Sequence, residues 1–267
     1  MLGNITLGQY VTGDSILHRS DPRTKIIATI LMMAVIFTLS NIMSYIVFSF
    51  LLTVMISYSR IPLKYTIKGL KPILFLIIFT VIINIFTIKG EVVLDIGFAS
   101  VTREGIYTAI RLAMRLILLV ITASMLTLTT TPVNLTDGME KLMMPLSRLG
   151  FPSHEIALMM TIALRFIPTL VEETDKIMKA QKSRGADFES GNIVERAKSF
   201  LPVLVPLFVN SFKRADDLAI AMEARGYKGG EGRTKLRELH FTRIDLFLST
   251  AVILTAAAVF VLDKTFF

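Results

Sequence analysis

A chain of 267 residues that is 53% hydrophobic and carries a formal net charge of +8 has a mean hydropathy of +0.63, above the range of soluble globular domains, so its composition is that of a membrane protein. With no cysteine, neither a disulfide framework nor a thiolate metal site can form, and His18, His154 and His240 lie too far apart in sequence to show ligand spacing. The charge lacks the basic, aromatic-interleaved stripe that nucleic acid requires; it fits basic loops facing the cytoplasm and anionic lipid.

The segment 1–25 holds Gly3, Gly8, Gly13, Asp14 and Asp21 and no apolar core, so no cleavable signal peptide is expected. A long, almost uncharged stretch follows, between Lys25 and Arg60. As one helix it would measure about 50 Å against a hydrocarbon core of about 30 Å. Two spans are therefore predicted, over 26–39 and 42–58, turning at Ser40-Asn41. A basic segment with Arg60, Lys64, Lys68 and Lys71 leads past Pro72 into a third span over 72–88. Beyond Lys89-Gly90-Glu91, the alternation of Val92, Val93, Leu94 and Ile96 predicts a small strand. A fourth span covers 105–129 and stops at Thr129-Thr130-Thr131-Pro132. Arg111 and Arg115 share one face of it; charges at membrane depth are costly, and both are expected to snorkel to the interface rather than to meet a partner or a substrate path. Charges then become frequent, and the apolar runs 156–170 and 200–212 are too short to span by themselves. A last span covers 244–262.

The expected fold is all-α: a polytopic membrane protein with about five transmembrane helices and a cytoplasmic helical coupling region. Its parts are a cytoplasmic N-terminal segment (1–25), four spans (26–131), a cytoplasmic region with two long helices (132–243) and the last span (244–267). With the N-terminus inside, residues 1–25, 59–71 and 130–243 are cytoplasmic and hold 24 of the 29 Lys and Arg residues, as the positive-inside rule requires.

The region 132–243 contains a degenerate repeat. At one fixed offset Asp175 matches Asp216, Ala180 matches Ala221, Arg184 matches Arg225 and Gly185 matches Gly226. An apolar, proline-bearing run precedes each copy, Phe166-Ile167-Pro168 in one and Phe200-Leu201-Pro202 in the other. Each copy reads as a long helix that ends in small-Arg-Gly. Glycine suits the left-handed position just past a helix C-terminus, and arginine suits the negative end of the helix dipole. Capping alone explains one such ending. Two at a fixed offset also present a pair of guanidinium groups able to fork onto a partner's carboxylates or carbonyls.

Apolar hairpins, a charged helical region, the tripeptides Ser183-Arg184-Gly185 and Ala224-Arg225-Gly226, and a final span together resemble the transmembrane T component of energy-coupling factor transporters. The resemblance covers essentially the whole chain. Its one departure is Ser183, where the family more often has alanine. It implies a scaffold without catalytic activity or cofactor, placed in the cell membrane. Two ABC-type ATPases would bind the two tripeptide-ending helices, one each, through Ser183, Arg184, Gly185, Ala224, Arg225 and Gly226. A membrane-embedded substrate-binding S component would sit beside it and release a vitamin or metal ion inward. Two other classes compete. Against a stand-alone secondary transporter or channel, the spans carry few charges and five spans offer no inverted repeat. Against a membrane enzyme, His154-Glu155 lacks a second histidine at position 158, which is Leu158. A phosphate loop ending Gly232-Arg233-Thr234 would need glycine where Tyr227 stands and lysine where Arg233 stands. ATP, if used, is then bound by another chain.

Overall fold

A computed structural model describes residues 10–59, 61–95, 100–229 and 239–265. Ile96 of the predicted strand and the Gly232-Arg233-Thr234 segment lie outside them. The helices in chain order are α1 (Ile16–Arg19), α2 (Pro22–Thr38), α3 (Ile42–Ser59), α4 (Leu63–Leu70), α5 (Leu74–Thr87), α6 (Arg103–Thr129), α7 (Pro132–Met143), α8 (Ser153–Ser183), α9 (Ile193–Ser199), α10 (Leu201–Ala224) and α11 (Arg243–Thr265). A small antiparallel hairpin of β1 (Val92–Asp95) and β2 (Ser100–Thr102) pairs Val92 with Thr102 and Leu94 with Val101 across a bulge. The described residues form two compact units, one of 10–142 with 239–265 and the other of 143–229.

In the first unit α2, α3, α6 and α11 close on a core in which Ile36, Leu39, Tyr45, Phe48, Leu128, Val252 and Val259 are fully buried. Each predicted span is a helix. By length and apolarity α3, α6 and α11 can each cross a membrane, and α5 can when joined to α4 through a 55° bend. That bend falls at Pro72, which lacks an N–H and disfavours helix in the residue before it. α2 has 17 residues, about 25 Å, a short fit to a bilayer, because Asp21-Pro22 fixes its start and the Ser40-Asn41 turn its end. The short run 156–170 belongs in the structure to the much longer α8, which contains an 18-residue stretch of spanning apolarity, 6% of it buried.

Polar pegs hold the apolar helices in register. Asp21 caps α2 by accepting the Arg23 backbone N–H at 2.8 Å. The Asp21 backbone N–H in turn donates to Asp245 at 2.6 Å. Asp245 also accepts the backbone N–H and the hydroxyl of Thr242, at 2.8 and 2.7 Å, so one carboxylate joins the starts of α2 and α11. Burial pushes the Asp21 carboxyl up, but hydrogen bonds from the side chain and backbone of Arg23 more than offset it and hold the group below its ordinary range. Lys25 is buried, and its Nζ donates to Thr129 O at 3.0 Å and to His18 O at 3.3 Å. At the far end of α11, Asp263 accepts the N–H groups of Ser40 and Asn41 at 3.1 and 3.0 Å.

The snorkelling expectation fails for Arg115. Its Nε donates to the Tyr45 hydroxyl at 2.9 Å and a terminal nitrogen donates to Leu39 O at 3.0 Å. The guanidinium turns inward because the end of α2 leaves backbone carbonyls in need of donors.

Candidate functional site

The two Ser/Ala-Arg-Gly segments close α8 and α10 in the same way. At the end of α8, Gly185 N–H donates to Lys182 O and Ala186 N–H donates to Gln181 O, both at 3.0 Å. At the end of α10, Gly226 N–H donates to Glu223 O at 2.8 Å and Tyr227 N–H to Met222 O at 3.0 Å. Each is the pair of hydrogen bonds that defines a Schellman motif. Gly185 and Gly226 stand at φ 88° and 73°, and a Cβ on either would meet nothing within 4 Å. Glycine is needed there for its backbone and not for close packing. Ser183, Arg184, Ala224 and Arg225 are exposed, and among the described residues neither guanidinium has an ion-pair partner.

The helices that carry these tips run antiparallel. Glu173 of α8 accepts from Asn210 Nδ2 at 2.5 Å and pairs with Arg214 at 2.8 Å. Gln181 Nε2 donates to Pro202 O at 3.5 Å, a long bond to a carbonyl left without its helical partner, because Pro206, one helical turn on, has no N–H. Pro202 itself sits in the first turn of α10, where a missing N–H disturbs nothing, so of the two prolines in this helix only Pro206 removes a bond. At the other end Ile162 and Met222 line one groove together with Phe166, Leu170 and Leu218; its volume is about 310 Å³.

These contacts obey an approximate two-fold rule. Glu173 and Arg214, which meet at the crossing, are separated by the same offset as Asp175 and Asp216 and so are repeat mates. The groove that Ile162 and Met222 line together has its mate in the Gln181–Pro202 hydrogen bond, within one residue. Such reciprocity is what a two-fold axis through the crossing produces. The tips consequently point away from each other. Arg225 shares a cleft wall with Arg165, and the path along α8 from position 165 to Arg184 is about 29 Å at the helical rise.

The helices do not close a private core. Val203 and Ala157 are buried, whereas Leu201, Val205, Phe208 and Phe212 on one stripe of α10 are 54–69% exposed. The structure therefore brings each predicted tripeptide to an exposed helix tip, keeps the two tips apart, and leaves apolar surface between them. The sequence reading missed the Glu173–Arg214 pair, although its two members are separated by the same offset as the repeat.

The family model described as cobalt transport protein, CbiQ, matches residues 13–236. The chain is 56% identical over 267 residues to the energy-coupling factor transporter transmembrane protein EcfT of Ruminiclostridium cellulolyticum, with all of both chains covered. It is 51% identical over 251 residues to the protein of that name from Thermosediminibacter oceani, covering 93% of this chain and 95% of the relative. It is 48% identical over 263 residues to that of Bacillus subtilis, covering 98% and 99%.

Proposed function

Since this chain belongs to the CbiQ family of cobalt transport proteins, we propose that it is the transmembrane energy-coupling component of an energy-coupling factor transporter. In this reading it is a non-catalytic scaffold. Ser183-Arg184-Gly185 docks on one ABC-type ATPase and Ala224-Arg225-Gly226 on a second. Nucleotide-driven closure of the ATPase pair moves the two tips. The crossed helices transmit that motion to a membrane-embedded substrate-binding S component, which takes up a vitamin or a metal ion. Residues 132–243 and the N-terminus lie in the cytoplasm, and residues 26–131 and 244–267 hold the spans.

One observation carries the proposal: two identically capped, exposed arginine tips at opposite ends of a two-fold antiparallel pair. A pair of ATPases that closes about a two-fold axis offers two sockets in the matching arrangement. A single socket cannot receive tips that lie at opposite ends of the pair, with about 29 Å of α8 between position 165, which shares the Arg225 cleft, and Arg184. The secondary-transporter reading gains nothing from this geometry, because it gives the tips no work.

Charge reversal tests it. Arg184→Glu or Arg225→Glu should leave membrane insertion unchanged and should lower ATPase co-purification or abolish uptake, since each reversal sets a carboxylate against acidic partners. Normal uptake by both single variants and by the double variant would remove the coupling role.

A further inference from the structure

The approximate two-fold axis lets the two tips be compared position by position, and their charges do not match. Beside Arg225 stand Arg165, contributed by α8, and Lys228, just past the α10 cap. The repeat mate of Arg165 is Pro206 and the mate of Lys228 is Asp187. At these two positions the α10 tip has cations where the α8 tip has a proline and a carboxylate; at a third the order reverses, Lys182 beside the α8 tip being the mate of Glu223, which does not line the cleft. Asp187 accepts from the Ser190 hydroxyl and from the backbone N–H groups of Glu189 and Ser190. These bonds pull its pKa down to about 2, so it is an anion at neutral pH. Lys182, next to the α8 tip, is paired with Glu189 at 3.4 Å.

The α10 tip is also concave. Arg165, Arg225 and Lys228 rim a cleft of about 670 Å³ with Ile162, Leu218 and Met222 among its apolar lining. No carboxylate is found among the described residues that line it. All three cations are exposed, and among the described residues none has an ion-pair partner. The contrast within the same helix pair is Arg214, whose charge Glu173 meets. Three like charges around an apolar floor repel one another until an anion arrives, and arginine in particular forks onto carboxylates.

We infer that the cleft formed by Arg165, Arg225 and Lys228 is the seat for an acidic segment of one partner ATPase, a segment that sets apolar side chains on the Ile162–Leu218–Met222 floor and carboxylates against the rim. Arg165 and Lys228 are thus docking residues in addition to the tripeptide, and the α8 tip has no equivalent of either. The two sockets in the ATPase pair differ accordingly, only the one that receives α10 having to meet this cationic cleft. This inference rests on the coupling reading above.

The test holds the full-length chain in nanodiscs and measures its affinity for the ATPase pair across a salt titration. Arg165→Ala and Lys228→Ala should each weaken binding about tenfold at low salt and flatten its salt dependence. Arg165→Lys, which keeps the charge, should retain most of the affinity, and Lys213→Ala, an exposed α10 lysine outside the cleft, should bind as the parent does. Affinity unchanged in Arg165→Ala and Lys228→Ala while Arg225→Glu releases the ATPases would overturn this inference and leave the coupling reading standing. Affinity unchanged in Arg184→Glu and Arg225→Glu as well would remove both. Unchanged ATPase affinity with loss of co-purifying anionic phospholipid from Arg165→Ala would overturn the inference in favour of a lipid seat.

Discussion

Gly185 and Gly226 occupy the left-handed region with open space around them, so the penalty for replacing either is conformational and not steric. Alanine there should cost about 1 kcal/mol, enough to fray the last turn and release the preceding arginine from its fixed direction. Asparagine tolerates the left-handed region better than other side chains. Gly226→Asn should therefore retain more ATPase affinity than Gly226→Ala, and Gly226→Val should retain least. Equal affinity across the three would mean that the cap does not aim the arginine. Arg115 carries a related lesson about context. Its spacing from Arg111 reads in the sequence as an interfacial pair, and only the structure supplies the Tyr45 hydroxyl and Leu39 carbonyl that draw it inward.

Among the elements, α11 is fastened at both ends by single carboxylates, Asp245 to the start of α2 and Asp263 to the turn between α2 and α3. Hydrogen bonds to an ionised carboxylate contribute about 2 kcal/mol each, and the two sites lie about 27 Å apart on a straight helix. Asp245→Asn and Asp263→Asn should each lower the unfolding temperature of the detergent-solubilised protein, and their free-energy losses should add in the double variant. A double variant no less stable than either single one would show that α11 is not pinned twice. The helices themselves were largely legible in the sequence, because apolar length and proline positions are local signals. Their fastenings were not. A lone Asp or Lys near a span end reads as interfacial until a backbone group at the other end of the chain is found to need it, as with Asp21 and Asp245. The repeat foretold α8 as a long helix ending at Ser183, but apolar run length did not foretell a stretch of spanning length in it, because Arg165 interrupts the run.

For the molecule as a whole, the constant offset between the two repeats is the feature that sequence and structure share. It placed both tips at the ends of like helices, because the capping chemistry of Arg-Gly is local. It did not disclose that the helices cross about an approximate two-fold axis, that Glu173 and Arg214 meet there, or that the tips face opposite ways, since these depend on packing between segments distant in sequence. The central claim is that the two tips each grip a separate ATPase. The natural absence of cysteine makes it directly testable, since cysteines placed singly at positions 184 and 225 are the only thiols in the chain. Cross-linking in the assembled membrane complex should join each of them to an ATPase subunit, at different sites in the pair. Cross-links that stay within this chain, or thiols labelled by an impermeant reagent from outside the cell, would contradict it.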